Sequence, residues 1–295
     1  MREVPFPDLS NLTTIGLGGR GRVLFILESW ADLTLLPEKL EPYRGEAFVL
    51  GKGSNLLPQD GDHPLVLVQV ASFDEPHCLG DDGDKVLVEV GAGYGLQPFL
   101  HYCASHGLGG LEGLVGIPGS IGGAIAMNAG SFGCAVCEHL CEVTVWQDNA
   151  VRIFGPTQFQ YGYRKFAFAG STNFFIVLKA IFCLTKVRIH DINSRMHLNF
   201  LKKKSNQPVS ARSAGCVFKN PEGYSAGRLL EECGFKGQRL GGVCFSDLHA
   251  NFLLNDQKGT ASQALELISK AEECVYRERG IILEREVRVV PCLKK

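Results

Sequence analysis

The chain has 295 residues, 45% of them hydrophobic, and a formal net charge of −1. Such a length gives two or three domains rather than one small core. With no basic run beyond Lys202, Lys203 and Lys204, nucleic acid is excluded as the main partner, because backbone-phosphate binding needs a concentrated positive face.

MREVPFPDLSNLTTIG opens the chain without a basic segment followed by an apolar one, so no secretory leader is expected. Eleven cysteines then fit a reducing cytoplasm better than a disulfide framework. Gly16, Gly18 and Gly21 satisfy G-x-G-x-x-G, but the next element reads as a strand rather than a helix, which argues against a dinucleotide turn. That strand is RVLFIL at 22–27. A helix is predicted around Trp30 to Leu40, then strands AFVL at 47–50 and VLVQV at 66–70.

Between the last two strands lies GKGSNLL at 51–57. It lacks P-loop spacing, yet its backbone N–H groups with Ser54 and Asn55 can form a nest for a pyrophosphate. KVLVEVGAGYG at 85–95 reads as a strand entering a turn, followed by a helix from Gln97 to His106 that Gly107 stops.

Gly113 to Cys137 reads GLVGIPGSIGGAIAMNAGSFGCAVC, with seven glycines and no charge. Its length and apolarity suit a membrane span. Each glycine weakens a helix by roughly 1 kcal/mol relative to Ala, and Pro118 breaks it further. A cofactor cradle fits better, with backbone N–H groups offered where no side chain intervenes. Cys134, Cys137 and Cys141 have C-x2-C-x3-C spacing, but no fourth ligand with matching spacing stands nearby. Buried thiols and no metal are expected there.

Strands are predicted at 142–146, 151–154 and 174–184. KKKSNQP at 202–208 reads as a polar surface turn and boundary. A short helix at 225–233 has Ser225 as N-cap and Gly234 past its end. Thr260 and Gln263 have capping-box spacing, and Leu265, Ile268, Ala271 and Val275 make an apolar stripe ending at Gly280. IILEREVRVV is read as a last strand.

GKGSNLL, GIPGSIGGAIAMNAG, YGYR at 161–164, GCVFKNP at 215–221 and EVR at 286–288, in this order after NLTTIGLGG at 11–19, resemble the UDP-N-acetylenolpyruvoylglucosamine reductase family. The likeness spans nearly the whole chain. It implies an α+β protein: a two-subdomain FAD-binding fold of the vanillyl-alcohol oxidase type plus a C-terminal substrate domain. The implied bounds are 1–71 for the first FAD subdomain, joined by the last strand at about 287–295. The second FAD subdomain would be 72–207 and the substrate domain 208–286.

The resemblance also implies FAD as cofactor and NADPH as co-substrate. They would reduce UDP-GlcNAc-enolpyruvate to UDP-MurNAc for the cell wall, in a cytoplasmic monomer without membrane or nucleic-acid partners. By that likeness Lys52, Gly53, Ser54, Asn55 and Leu56 hold the FAD pyrophosphate. Gly116, Pro118, Gly119, Ser120, Gly122, Gly123 and Asn128 line the flavin.

Arg164 would grip the substrate carboxylate, and Glu286, if protonated, would donate to its other oxygen. Cys216 stands where the family usually has a serine that protonates C2; a thiol is the stronger acid. Tyr163, Lys219 and Asn220 would touch substrate. Asn206 stands where many members have a basic residue, so Lys204 would take a diphosphate contact. The short spacing from Arg164 to Cys216 matches the group without an extra Tyr-bearing loop. Two rivals are another flavin oxidase or dehydrogenase of the same fold and a non-catalytic nucleotide-sugar binding protein.

Overall fold

The computed structural model describes residues 1–43, 47–71, 74–168 and 174–290. By its internal contacts the chain divides into two interleaved units. Residues 1–4, 23–51 and 65–202 gather into one unit, and residues 5–22, 52–64 and 203–295 into another.

In the first unit, strands Arg2–Pro5, Val23–Leu27, Val66–Val70 and Ala47–Val49 form one sheet in that spatial order. Val66–Val70 runs parallel to both Val23–Leu27 and Ala47–Val49. Parallel strands need crossovers, and helix α1, Asp32–Leu40, makes the one from Val23–Leu27 to Ala47–Val49. Every residue of Val23–Leu27 is buried, as its unbroken apolar run requires of a strand covered on both faces. Leu33 and Leu36 of α1 pack on Leu27 and Val68.

A second sheet of this unit is antiparallel. Its spatial order is Ala150–Phe154, Leu140–Gln147, Ile176–Lys186, Lys85–Gly91 and His77–Asp82. Leu108–Gly109 pairs with the end of Ile176–Lys186. Val86, Val88 and Val90 alternate inward along Lys85–Gly91. They meet helix α2, Leu96–Ser105, and helix α3, Ile121–Ala126, through Leu96, Phe99, Ile121 and Ile125. The membrane reading of 113–137 fails here: that stretch is broken into short turns, α3 and a two-residue hairpin. Among the described residues no helix is long and apolar enough to cross a membrane.

Helix α4, Ile189–Asn206, is not foreseen by the sequence reading. KKKSNQP is therefore not a surface turn: its lysines end α4, where Lys203 is buried and Lys204 exposed. Basic residues in a last turn also suit the negative end of the helix dipole.

In the second unit, Ser213–Cys216, Phe252–Asn255, Val243–Phe245 and Arg239–Leu240 form an antiparallel sheet in that order. Helices α5, Ala226–Glu232, and α6, Ala261–Arg279, share its core. The capping of both helices matches expectation. Ser225 accepts from Arg228 N–H, the Thr260–Gln263 capping box forms, and Gly280 closes α6 in the left-handed region.

The stripe on α6 is shifted from the one expected. Ala264, Leu267, Ile268, Ala271 and Val275 are buried, whereas Leu265 is half-buried beside them. The last strand is shorter than expected, Arg288–Val290, and pairs in parallel with Leu56–Pro58. Residues 291–295 of the expected 287–295 segment lie outside the described residues.

Candidate active site in two half-sites

In the first unit, residues 116–130 pack under the 163–164 turn. Gly116 donates its N–H to Gln97 Oε1 at 2.8 Å, and Gln97 Nε2 donates to the carbonyls of Leu114 and Ile117 at 3.2 and 2.7 Å. Ser120 is the N-cap of α3, accepting from Gly123 N–H. Ile121 and Gly122 donate to the Tyr94 and Ala92 carbonyls.

These bonds correct the reason given above for the glycines. The N–H groups of Gly116, Ile121, Gly122 and Gly123 already serve the fold, so this segment is not a continuous row of amides for a ligand. Some of its glycines answer packing instead. A Cβ on Gly122 would lie 3.0 Å from the Ala92 Cβ, and one on Gly113 would lie 2.9 Å from the Cys134 Cβ. What the segment does offer is an uncharged surface bare of long side chains.

Tyr163 and Arg164 form the two-residue connection between strands Phe159–Gly162 and Lys165–Phe168. Arg164 has φ of +54°, a conformation that costs a non-glycine residue energy and clusters at functional sites. Its Nη1 donates to the Gly130 carbonyl at 3.3 Å, and its guanidinium stands 5.2 Å from the Tyr163 ring centroid. Asn128 ties the same turn from below. Its Nδ2 donates to the Gly162 carbonyl at 2.8 Å, and its Oδ1 accepts from Cys137 N–H at 3.1 Å. Buried Asn128 thus locks the glycine-rich segment to the Arg164 hairpin.

The second unit holds the remaining groups. Gly53 has φ of +63°, and a Cβ there would collide with the Leu12 carbonyl, so only glycine fits this turn. Asn55 Nδ2 donates to the Glu286 carbonyl at 3.0 Å, and Arg288 N–H donates to the Asn55 carbonyl at 3.0 Å. Glu286 in turn donates its N–H to the Val217 carbonyl at 2.8 Å. Phe218 bridges Arg285 antiparallel, and Lys219 N–H donates to the Glu284 carbonyl. Backbone pairing therefore sets Glu286 beside the residue that follows Cys216, with the GKGSN turn joined to the same strip.

Lys219 is ion-paired with exposed Glu284. Asn220 Oδ1 accepts from Ala226 N–H at 3.0 Å, at the entry of α5.

Residues 207–290 match the family described as UDP-N-acetylenolpyruvoylglucosamine reductase, C-terminal domain, and residues 23–151 match an FAD binding domain. The chain is 44% identical to the UDP-N-acetylenolpyruvoylglucosamine reductase of Nitratidesulfovibrio vulgaris, over 97% of this chain and 98% of that protein. It is 43% identical to the one from Oleidesulfovibrio alaskensis, covering 97% of each. The crystal structure of the Thermus caldophilus reductase superposes with a TM-score of 0.81 at 34% identity, covering 98% of each chain. The chain belongs to the UDP-N-acetylenolpyruvoylglucosamine reductase family.

A reductase of this family must accommodate FAD, and each unit carries residues whose chemistry would suit one part of that cofactor. Lys52, Ser54 and Asn55 supply a cation, a hydroxyl and an amide around a left-handed turn, a donor set for a diphosphate. The 116–123 segment supplies a neutral, side-chain-poor surface for a flat ring.

Sequence reasoning missed the amides that hold these pieces. Gln97 was read only as a helix start. Asn251 clamps Phe218 by both its N–H and its C=O, at 2.9 and 2.8 Å. Asn255 donates to the Ile15 and Gly16 carbonyls of the NLTTIGLGG loop. A lone buried amide has no periodicity to reveal it.

The C-x2-C-x3-C thiols do not converge. Cys134 Sγ donates to the Gly110 carbonyl at 3.1 Å and Cys137 Sγ to the Ile125 carbonyl at 3.7 Å, while the free thiol of Cys141 shares a hydrogen bond with that of Cys183. Burial pushes the Cys134 thiol up to about 11 and that of Cys137 to about 12.

Proposed function

We propose that Arg164, Cys216 and Glu286 carry out the reduction of UDP-GlcNAc-enolpyruvate to UDP-MurNAc in peptidoglycan precursor synthesis. The observation that carries this reading is the backbone pairing that places Glu286 alongside Val217, next to Cys216, in a chain of this family. Bound FAD, reduced by NADPH, supplies a hydride to C3 of the enol ether.

Negative charge then develops on C2 and the adjoining carboxylate. Arg164 neutralises one carboxylate oxygen, held ready by its bond to the Gly130 carbonyl. Glu286 in its neutral form donates to the other oxygen, as a carboxyl shielded from water can. Cys216 delivers the proton to C2. An ordinary thiol is mostly protonated at neutral pH, and general acid catalysis is typically worth about 10²–10⁴-fold.

Tyr163, Lys219 and Asn220 contact substrate under this proposal, and Lys204, on the exposed face of α4, meets the diphosphate. The functional blocks remain residues 1–71 with the last strand, 72–207 and 208–286, and the reading extends to a cytoplasmic monomer.

An NADPH oxidation assay with and without UDP-GlcNAc-enolpyruvate tests the reaction. Oxidation that ignores the substrate would refute it. Cys216→Ser is expected to retain substantial activity and Cys216→Ala to lose about 10²-fold or more. A Cys216→Ala protein as fast as the parent removes Cys216 from the mechanism.

A further inference from the structure

After the glycine-rich segment the chain makes a small hairpin, Gly130–Ser131 against Cys134–Ala135, and then a single 3-10 turn, Val136–His139. This brings Cys134 Sγ, a Glu138 carboxylate oxygen and a His139 ring nitrogen within 4.8 Å of one another. Among the described residues it is the one group of three such ligands. None of the three has a role in the proposed reduction.

We infer that Cys134, Glu138 and His139 form a binding site for a zinc-class divalent cation. One thiolate, one imidazole and one carboxylate are the ligand types zinc accepts. Bonds of about 2.0–2.3 Å in a tetrahedron put ligand atoms roughly 3.3–3.8 Å apart. The three atoms lie within 4.8 Å of one another, and a small closing movement of exposed Glu138 would bring them to that spacing.

Each ligand is held from behind. The Cys134 Cβ rests on Gly113, and the His139 ring lies on Gly110, where a Cβ would come 2.6 Å from its Cε1. Glu138 Oε2 accepts from Ala135 N–H at 3.0 Å, which orients the carboxylate and leaves it lone pairs for a cation. Such supporting contacts fix ligand geometry around metals. With three protein ligands, the fourth position belongs to water or another small ligand.

The set is C-x3-E-H. It is invisible in the C-x2-C-x3-C spacing, whose other two thiols turn elsewhere. The cation would not take part in hydride transfer. It would pin the hairpin whose Gly130 carbonyl receives Arg164 Nη1, so it is a staple for the Arg164 turn.

The test uses the full-length, FAD-loaded protein dialysed with Zn2+ against a weak chelator. Metal analysis is expected to find one zinc per chain. Zinc-edge X-ray absorption is expected to show one sulfur at about 2.3 Å, with nitrogen and oxygen at about 2.0–2.1 Å. Cys134→Ser should lose the sulfur shell, and Glu138→Gln, which keeps the Ala135 bond, should weaken zinc about 10-fold or more. Cys137→Ser and Cys141→Ser should retain it. No zinc retained by the parent overturns the proposal, as does equal loss from all three cysteine variants.

Discussion

Asn251 offers the sharpest test of how the second half-site is held. Its side chain is the sole clamp described on both backbone groups of Phe218, with Asn251 2% and Phe218 1% exposed. Replacement by Leu keeps the volume and removes both bonds, orphaning one N–H and one C=O away from water. Each orphaned buried group costs about 1–3 kcal/mol, so Asn251→Leu should cost about 2–6 kcal/mol. At a urea dependence of about 1–3 kcal/mol/M, the unfolding midpoint should fall by roughly 0.7 M or more. Circular dichroism through a urea series measures it. Because Val217, which receives the Glu286 N–H, adjoins Phe218, kcat should also fall at temperatures where the variant stays folded. A loss below about 0.5 kcal/mol, the range of a neutral surface change, would refute the clamp.

Asp60 accepts from Ala261 N–H, Ser262 N–H and the Ser262 hydroxyl at the start of α6. Burial alone would push its carboxyl up, but these bonds outweigh burial and hold it below the ordinary value. A lowered folded pKa gives stability that is present above the unfolded value, near 3.9, and lost as pH falls through the folded one. Asp60→Asn should therefore flatten the acid limb of the stability curve and cost about 1 kcal/mol at pH 7 by thermal melts. Gly53→Ala forces a Cβ onto the Leu12 carbonyl on top of about 1–2 kcal/mol for the left-handed backbone, and should strip flavin during gel filtration. Gly80→Ala, with open space around it, is the control and should keep its colour. Alkylation at pH 8, mapped by mass spectrometry, should mark exposed Cys78 first. Cys103 and Cys137, whose thiols burial pushes up to about 12, should react only on unfolding.

The strands and caps were legible where one physical signal dominated. Val66–Val70 is apolar at four of its five positions, all but Gln69, and Thr260 with Gln263 is a reciprocal cap, so both emerged as read. Helix α4 was not, because its inward face alternates chemistry. Ile192 and Met196 are buried, Asn199 donates to the Glu112 carbonyl, and Lys203 is buried one turn further. An i, i+4, i+7, i+11 face with two polar members does not register as apolar periodicity. In the site, the motif residues themselves were legible, but their mutual placement was not. The Val217–Glu286 pairing joins positions some seventy residues apart, and Gln97, Asn128 and Asn251 act through backbone carbonyls that carry no sequence signature.

The interleaving of the two units sets a limit on how this protein can be divided. The chain passes from one unit to the other at 4/5, 22/23, 51/52, 64/65 and 202/203. The core of the second unit includes Ile15, Leu17 and Leu57 along with its C-terminal residues. A gene fragment beginning at residue 203 would therefore be born without part of its own interior, and no single cut yields either unit whole. Synthesis has the same consequence: residues 5–22 leave the ribosome long before the helices they pack with exist, so the second unit can close only when the chain is nearly complete.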